Sequence, residues 1–140
     1  MTSPPAEDAA NPFRVLVVED EMIIALCIEQ CLTAQGHEVI GPVARRDEAL
    51  RYAAQPTFHF ALLDVNLAGE QVYPVAATLT RKGVPFAFLS GHGVRGLRPE
   101  WRRASILEKP FSCAALIELA AAAAAQWRGS AADAAGVTAS

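Results

Sequence analysis

Residues 15–21 read Val-Leu-Val-Val-Glu-Asp-Glu, four apolar side chains running straight into three carboxylates. An apolar run this short, bounded by polar residues, suits a parallel strand buried on both faces. The pattern returns at Phe60-Ala61-Leu62-Leu63 before Asp64, and at Ile106-Leu107 before Glu108-Lys109-Pro110. Open α/β sheets bind their ligands at the carboxyl ends of the strands. Carboxylates and a lysine placed there, on neighbouring strands, converge.

Outward from these runs, strand and helix patterns alternate. A first strand is expected at about 13–18, then a helix at 21–35 ending at Gly36. A strand at 38–43 and a helix at 47–55 follow, the latter stopped by Pro56. The third strand, 59–63, meets Asp64, the turn Leu67-Ala68-Gly69-Glu70, and a helix over 72–82 closed by Gly83. Pro74 is tolerated in its first turn, where no intrahelical N–H bond is lost. The fourth strand, 85–89, leads into Ser90-Gly91-His92-Gly93, and the fifth covers 105–108. The Arg-rich segment 94–104, with Gly96 and Pro99, supports at most a short or irregular fourth helix. Ser112 is placed to cap a last helix running to about 128. Five βα units with right-handed crossovers predict a flavodoxin-like doubly wound α/β sheet of strand order 2-1-3-4-5. Residues 1–12 and 129–140, small, polar or Ala-rich, are expected as disordered tails flanking one domain over 13–128.

The 140 residues suffice for a single hydrophobic core, and a formal charge of −3 gives no reason to expect nucleic-acid binding. No membrane-spanning run or signal peptide is visible, so a cytoplasmic protein is expected. Cys27, Cys31 and Cys113 lack CxxC spacing. With Cys27 and Cys31 four apart beside Ile24 and Ile28, all three are read as buried free thiols rather than metal ligands.

Glu19, Asp20 and Asp64 end the first and third strands, which are adjacent in the expected order. Clustered carboxylates repel one another and so favour a cation, and an all-oxygen donor set with room for water suits Mg²⁺. Asp20 and Asp64 are the expected direct ligands with the Asn66 backbone carbonyl, while Glu19 acts through a water. A carboxylate is also a nucleophile towards phosphorus, and phosphoryl transfer needs positioning and charge neutralisation above all. Lys109 and the Ser90 hydroxyl can each pair with a phosphoryl oxygen, and Gly91 leaves space and a backbone N–H beside them.

The stretches VLVVEDE, LLDVNLAGE, FLSG and LEKPF resemble, in order and spacing, the motifs of response regulator receiver domains in two-component signalling. The resemblance spans about residues 13–128. It implies Asp64 as phosphoacceptor, with Asp20 and Glu19 spent on the metal, Ser90 as switch hydroxyl and Lys109 as the phosphate-contacting lysine. It also implies a cis peptide between Lys109 and Pro110. Ile106 stands where many receivers carry the aromatic of the switch. That departure, the shortened stretch before Lys109 and PFAFLSGHG resemble single-domain FATGUY-type receivers, which often pair with HWE or HisKA2-type histidine kinases.

The reading is therefore a stand-alone receiver, not an enzyme beyond its own phosphorylation and autodephosphorylation. It is phosphorylated by a histidine kinase or phosphotransfer protein, and it signals through a downstream protein or drains phosphate. Asn66 and His92 are expected to flank the water path to the phosphoryl group. His92 is equally read as a surface loop residue or a switch residue. The arginines around Trp101 form a solvated loop or a partner surface, and Trp127 is core edge or part of a homodimer surface. Two alternatives compete. A Mg²⁺-dependent aspartyl-phosphate phosphohydrolase needs an acid/base carboxylate where Asn66 stands. A phosphate-independent interaction module would have no need of Glu19, Asp20, Asp64, Ser90 and Lys109 together.

Overall fold

The computed structural model describes residues 11–139. Five parallel strands form one sheet: β1 Arg14–Val18, β2 Glu38–Val43, β3 Phe60–Asp64, β4 Phe86–Ser90 and β5 Ser105–Glu108. Their order is β2-β1-β3-β4-β5, the doubly wound arrangement that the alternating pattern predicts. The helices are α1 Met22–Ala34, α2 Arg46–Ala54, α3 Tyr73–Lys82 and α4 Cys113–Ala139. Among the described residues, no helix is long and apolar enough to cross a membrane.

Burial on both faces explains why the strands read as continuous apolar runs. Leu16 and Val18 of β1 join Ala61 and Leu63 of β3 in a core covered by α2 and α3. Val15, Val17 and Leu62 point the other way, into a core with Ile28 and Leu32 of α1 and Leu116 and Ala120 of α4. All five residues of β3 are buried. Register then aligns the functional ends: Val18 pairs with Leu63, Asp64 with Leu89 and Ser90 with Glu108. Beyond the last pair the Lys109 N–H donates to the Ser90 carbonyl at 2.8 Å, which carries the lysine to the same edge.

Segment 94–104 forms no regular helix, as its glycine and proline imply. It holds two 3-10 turns, Gly93–Gly96 and Pro99–Trp101. The Ser112 hydroxyl oxygen accepts the Ala115 N–H at 3.0 Å at the start of α4. That helix does not stop near 128. It continues to Ala139, through residues expected as a tail, because the alanine-rich stretch contains no proline to halt it. Gly129 and Gly136 each cost only about 1 kcal/mol. The expected N-terminal tail lies, up to residue 10, outside the described residues.

The cysteines correct the sequence reading. Cys31 and Cys113 are joined by a disulfide, with Cα atoms 6.0 Å apart, and Cys27 is an exposed free thiol. The buried stripe of α1 is Ala25, Ile28 and Leu32, which leaves Met22, Ile23 and Leu26 exposed. Apolar residues therefore surround much of this helix, and residue type could not show which side Cys27 takes. The bridge pins α1 to the first turn of α4 and closes 82 residues of chain. Chain-entropy arguments allow a stabilisation of up to about 4 kcal/mol for such a loop. Urea unfolding with and without a phosphine reductant checks this. The midpoint falls on reduction in the parent chain and stays fixed in Cys113→Ser; a midpoint indifferent to reductant contradicts it.

At the opposite edge of the sheet, Trp127 stacks on His59 with ring centroids 3.9 Å apart and also meets Phe13, so it is core edge. His59 Nδ1 accepts the Arg14 N–H at 3.0 Å, which requires that nitrogen to be unprotonated. Burial, then the positive charges of Arg14 and Arg128, lower the His59 pKa below its ordinary value. Burial and Arg128 do the same to His37. A base with a depressed folded-state pKa is protonated more readily in the unfolded chain, so stability is lost as pH falls below about 6.5. The urea midpoint is expected to drop between about pH 7.5 and about pH 5.5, and to drop less in His59→Asn. Equal drops in the two proteins would rule His59 out as a cause.

Candidate functional site

At the carboxyl edge of the sheet, the ends of β1, β3, β4 and β5 surround an open cleft of about 550 Å³. Its lining includes Asp64, Asn66, Ser90, Gly91, His92 and Lys109, all singled out from sequence. Glu19 and Asp20 end β1 beside it, and one carboxylate oxygen from each of Glu19, Asp20 and Asp64 lies within 4.8 Å of the others. Glu19 is 2% exposed and Asp64 7%. Such crowding of negative charge in a poorly hydrated place requires compensation.

Lys109 supplies part of it. Its Nζ lies 2.8 Å from Glu19 Oε1 and 3.4 Å from Asp64 Oδ2, with Glu21 Oε1 at 3.9 Å. Burial alone would lower the lysine's pKa, yet Glu19 and Asp64 hold it above its ordinary value. One ammonium does not satisfy three carboxylates. Burial, reinforced by Glu19, pushes Asp64 up to about 8 despite Lys109. Asp20 shifts down: burial opposes its charge, but the Ala68 N–H, donating to Oδ2 at 3.0 Å, and the neighbouring Asp64 outweigh it.

That Ala68 donor comes from a hairpin whose arms are Asn66–Leu67 and Glu70–Gln71. Its two turn residues, Ala68 (φ 49) and Gly69 (φ 87), are both left-handed, as the tight two-residue turn requires. The LAGE motif marked a turn, but alanine at a left-handed position hid the amide it turns towards Asp20. Glu21 was missed for a different reason, being indistinguishable in sequence from a first-turn acid that favours the helix N-terminus. Asn66 is exposed at the cleft, and its N–H makes only a long 3.5 Å approach to Asp64 Oδ1.

The donor set fits a hard divalent cation. Every candidate ligand is oxygen. Glu19 Oε1 is buried with the Lys109 ammonium at 2.8 Å as its neighbour, and a carboxylate oxygen has a further lone pair to offer a water or a cation. Ser90 is 4% exposed, and its hydroxyl is engaged by the loop that follows it: it donates to the Gly93 carbonyl at 3.0 Å and accepts the His92 N–H at 3.1 Å. Gly91 and the His92 side chain are exposed at the rim. The Lys109–Pro110 peptide is cis, and Gly41–Pro42 is a second cis bond. Ile106 is half-buried opposite Phe88.

No family model matches the chain. The structure of SdrG from Sphingomonas melonis Fr1 is 32% identical with a TM-score of 0.71, covering 80% of this chain and 96% of SdrG. The receiver domain of NtrX from Brucella abortus is 27% identical with a TM-score of 0.66, covering 78% of this chain and 96% of that domain. The chain belongs to the response regulator receiver family. Transcriptional regulatory protein PdtaR from Mycobacterium tuberculosis is 31% identical over 122 residues, 84% of this receiver but only 60% of PdtaR. Receivers act in two-component signalling and are in general regulatory proteins.

The crowding in this receiver has a direct consequence. Removing one buried carboxylate relieves repulsion, so in chelator Asp64→Asn is expected to be more stable than the parent by on the order of 1 kcal/mol. Adding Mg²⁺ is expected to stabilise the parent more than the variant. Thermal melts with EDTA and with excess Mg²⁺ measure both, and a variant less stable than the parent in EDTA contradicts the account.

Proposed function

We propose that this receiver takes a phosphoryl group from the phosphohistidine of a histidine kinase, or of a phosphotransfer protein, onto Asp64. A carboxylate oxygen of Asp64 attacks phosphorus, the P–N bond breaks, and the imidazole nitrogen leaves with the electron pair. Asp20, Asp64 and the Asn66 backbone carbonyl would hold Mg²⁺, with Glu19 acting through a water. When bound, the cation neutralises phosphoryl charge that Lys109 alone cannot balance. Lys109 has a second task, since its ammonium takes one phosphoryl oxygen and keeps the nucleophile close to its own positive partner. Ser90 accounts for a further oxygen once its O–H leaves the Gly93 carbonyl. Gly91 leaves the approach open.

The observation that supports this reading best is Asp64 itself. It is a buried carboxylate at the rim of an open cleft, within ion-pair reach of Lys109 and clustered with two further acids. Kinases of the HWE or HisKA2 type are the proposed donors. Output passes through contacts of the 91–104 segment with a downstream protein, or the receiver serves as a phosphate sink. His92, at the rim beside Asn66, is the proposed modulator of phosphoryl lifetime.

Incubation with acetyl phosphate and Mg²⁺, followed by intact mass measurement, tests the assignment. One phosphoryl adduct is expected in the parent chain, with none in Asp64→Asn and none when EDTA replaces Mg²⁺. Lys109→Ala is expected to slow its formation by ~10-fold or more, the loss of a charge-assisted contact. Undiminished phosphorylation of Asp64→Asn overturns the assignment.

A further inference from the structure

Tyr73, at the start of α3, belongs to no motif of the phosphoryl site, yet it holds the loop that covers Ser90. The residue is 5% exposed. Its hydroxyl accepts the Arg98 N–H at 2.9 Å and makes a longer 3.5 Å donation to the Gly96 carbonyl. The Arg98 guanidinium lies over the Tyr73 ring, 4.8 Å from its centroid, and donates to the Gln71 side-chain carbonyl. Trp101, in the second 3-10 turn, stacks on the same ring at 6.1 Å, 16° from parallel. Backbone, guanidinium and indole of one strap therefore all close on one phenol.

The other side of that strap rests on Ser90. A Cβ on Gly96 would stand 2.5 Å from Ser90 Oγ, so the backbone there sits directly against the hydroxyl. The same hydroxyl donates to the Gly93 carbonyl, at the strap's beginning. Ser90 cannot serve a phosphoryl oxygen on Asp64 and Gly93 with its single proton. The strap thus competes with the phosphoryl group for the hydroxyl, and Tyr73 fixes the strap.

We propose that Tyr73 is a positioning residue, a clasp that presses residues 93–101 onto Ser90 and opposes the phosphoryl-bound state until Asp64 is modified. Its coupling to the site rests on the phosphoacceptor reading of Asp64. Ile106 leaves this side of the sheet without an aromatic on β5, and Tyr73, Phe88 and Trp101 fill the space around it. The clasp is a restraint, so weakening it favours the state that binds a phosphoryl mimic.

Two measurements on Tyr73→Phe, made in a Trp127→Phe chain whose sole indole is Trp101, test this. Phenylalanine keeps the stacking and loses only the hydroxyl. Without Mg²⁺ or fluoride, acrylamide quenching of Trp101 is expected to rise as the strap loosens; unchanged quenching overturns the clasp. With Mg²⁺ and beryllium fluoride, followed by ¹⁹F NMR, half-saturation is expected at a ~fivefold lower concentration, the effect of one lost hydrogen bond. In a Ser90→Ala background that gain is expected to vanish. A gain that persists without the hydroxyl, or a weaker uptake in Tyr73→Phe, overturns the coupling. A parent chain that takes up no beryllium fluoride overturns the phosphoacceptor reading and the coupling with it, while the quenching result still decides whether Tyr73 holds the strap.

Discussion

The Lys109 ammonium stands between Glu19 and Asp64, and the rest of the carboxyl edge is arranged around what it leaves unbalanced. Three acids from two adjacent strands approach within a few ångströms of one another, and one lysine faces them. A buried carboxylate without a counter-charge takes up a proton instead, which is the direction in which Asp64 moves. A hard cation would relieve the same imbalance while leaving Asp64 ionised, as the proposed phosphoacceptor has to be. The chemistry follows from electrostatics more than from any single reactive group: the site has an excess of negative charge and room in front of it.

The sheet makes that arrangement rigid. Parallel pairing brings Asp64 and Ser90 to the same edge, and the Lys109 N–H continues the ladder by one bond beyond β5. The hairpin after β3 adds the Ala68 amide, which fixes Asp20. Against this edge rests an irregular element. Residues 93–101 are held by Leu97, which is 2% exposed, by Tyr73 and by Ser90, and by no regular helix. A charged edge held by ladder hydrogen bonds thus meets a strap held by a few side chains and two 3-10 turns.

Much of this was legible in the chain. Unbroken apolar runs at β1 and β3 announced strands covered on both sides, and the charge that ended each run located the site. The legible part was local, because both the pattern and its interruption lie within a few residues. What stayed hidden depended on partners distant in sequence. Cys31 and Cys113 lie 82 residues apart, and only the packing of α1 against α4 brings them into bonding range. Tyr73 belongs with them, since nothing near it in the chain foretells that the Arg98 N–H returns to its hydroxyl from 25 residues away. The end of the last helix is ambiguous in the chain because alanine and glycine suit a tail as well as a helix, and with no proline to stop it the helix runs on to Ala139.

Among the clustered carboxylates, Asp64 is the one proposed to accept phosphorus. Reduction of the phosphorylated protein with borohydride converts an aspartyl phosphate into homoserine, which peptide mass spectrometry can locate. The account predicts homoserine at position 64 and intact Glu19 and Asp20. Homoserine at position 20, a reduced side chain at position 19, or phosphate retained on a serine or histidine would contradict it.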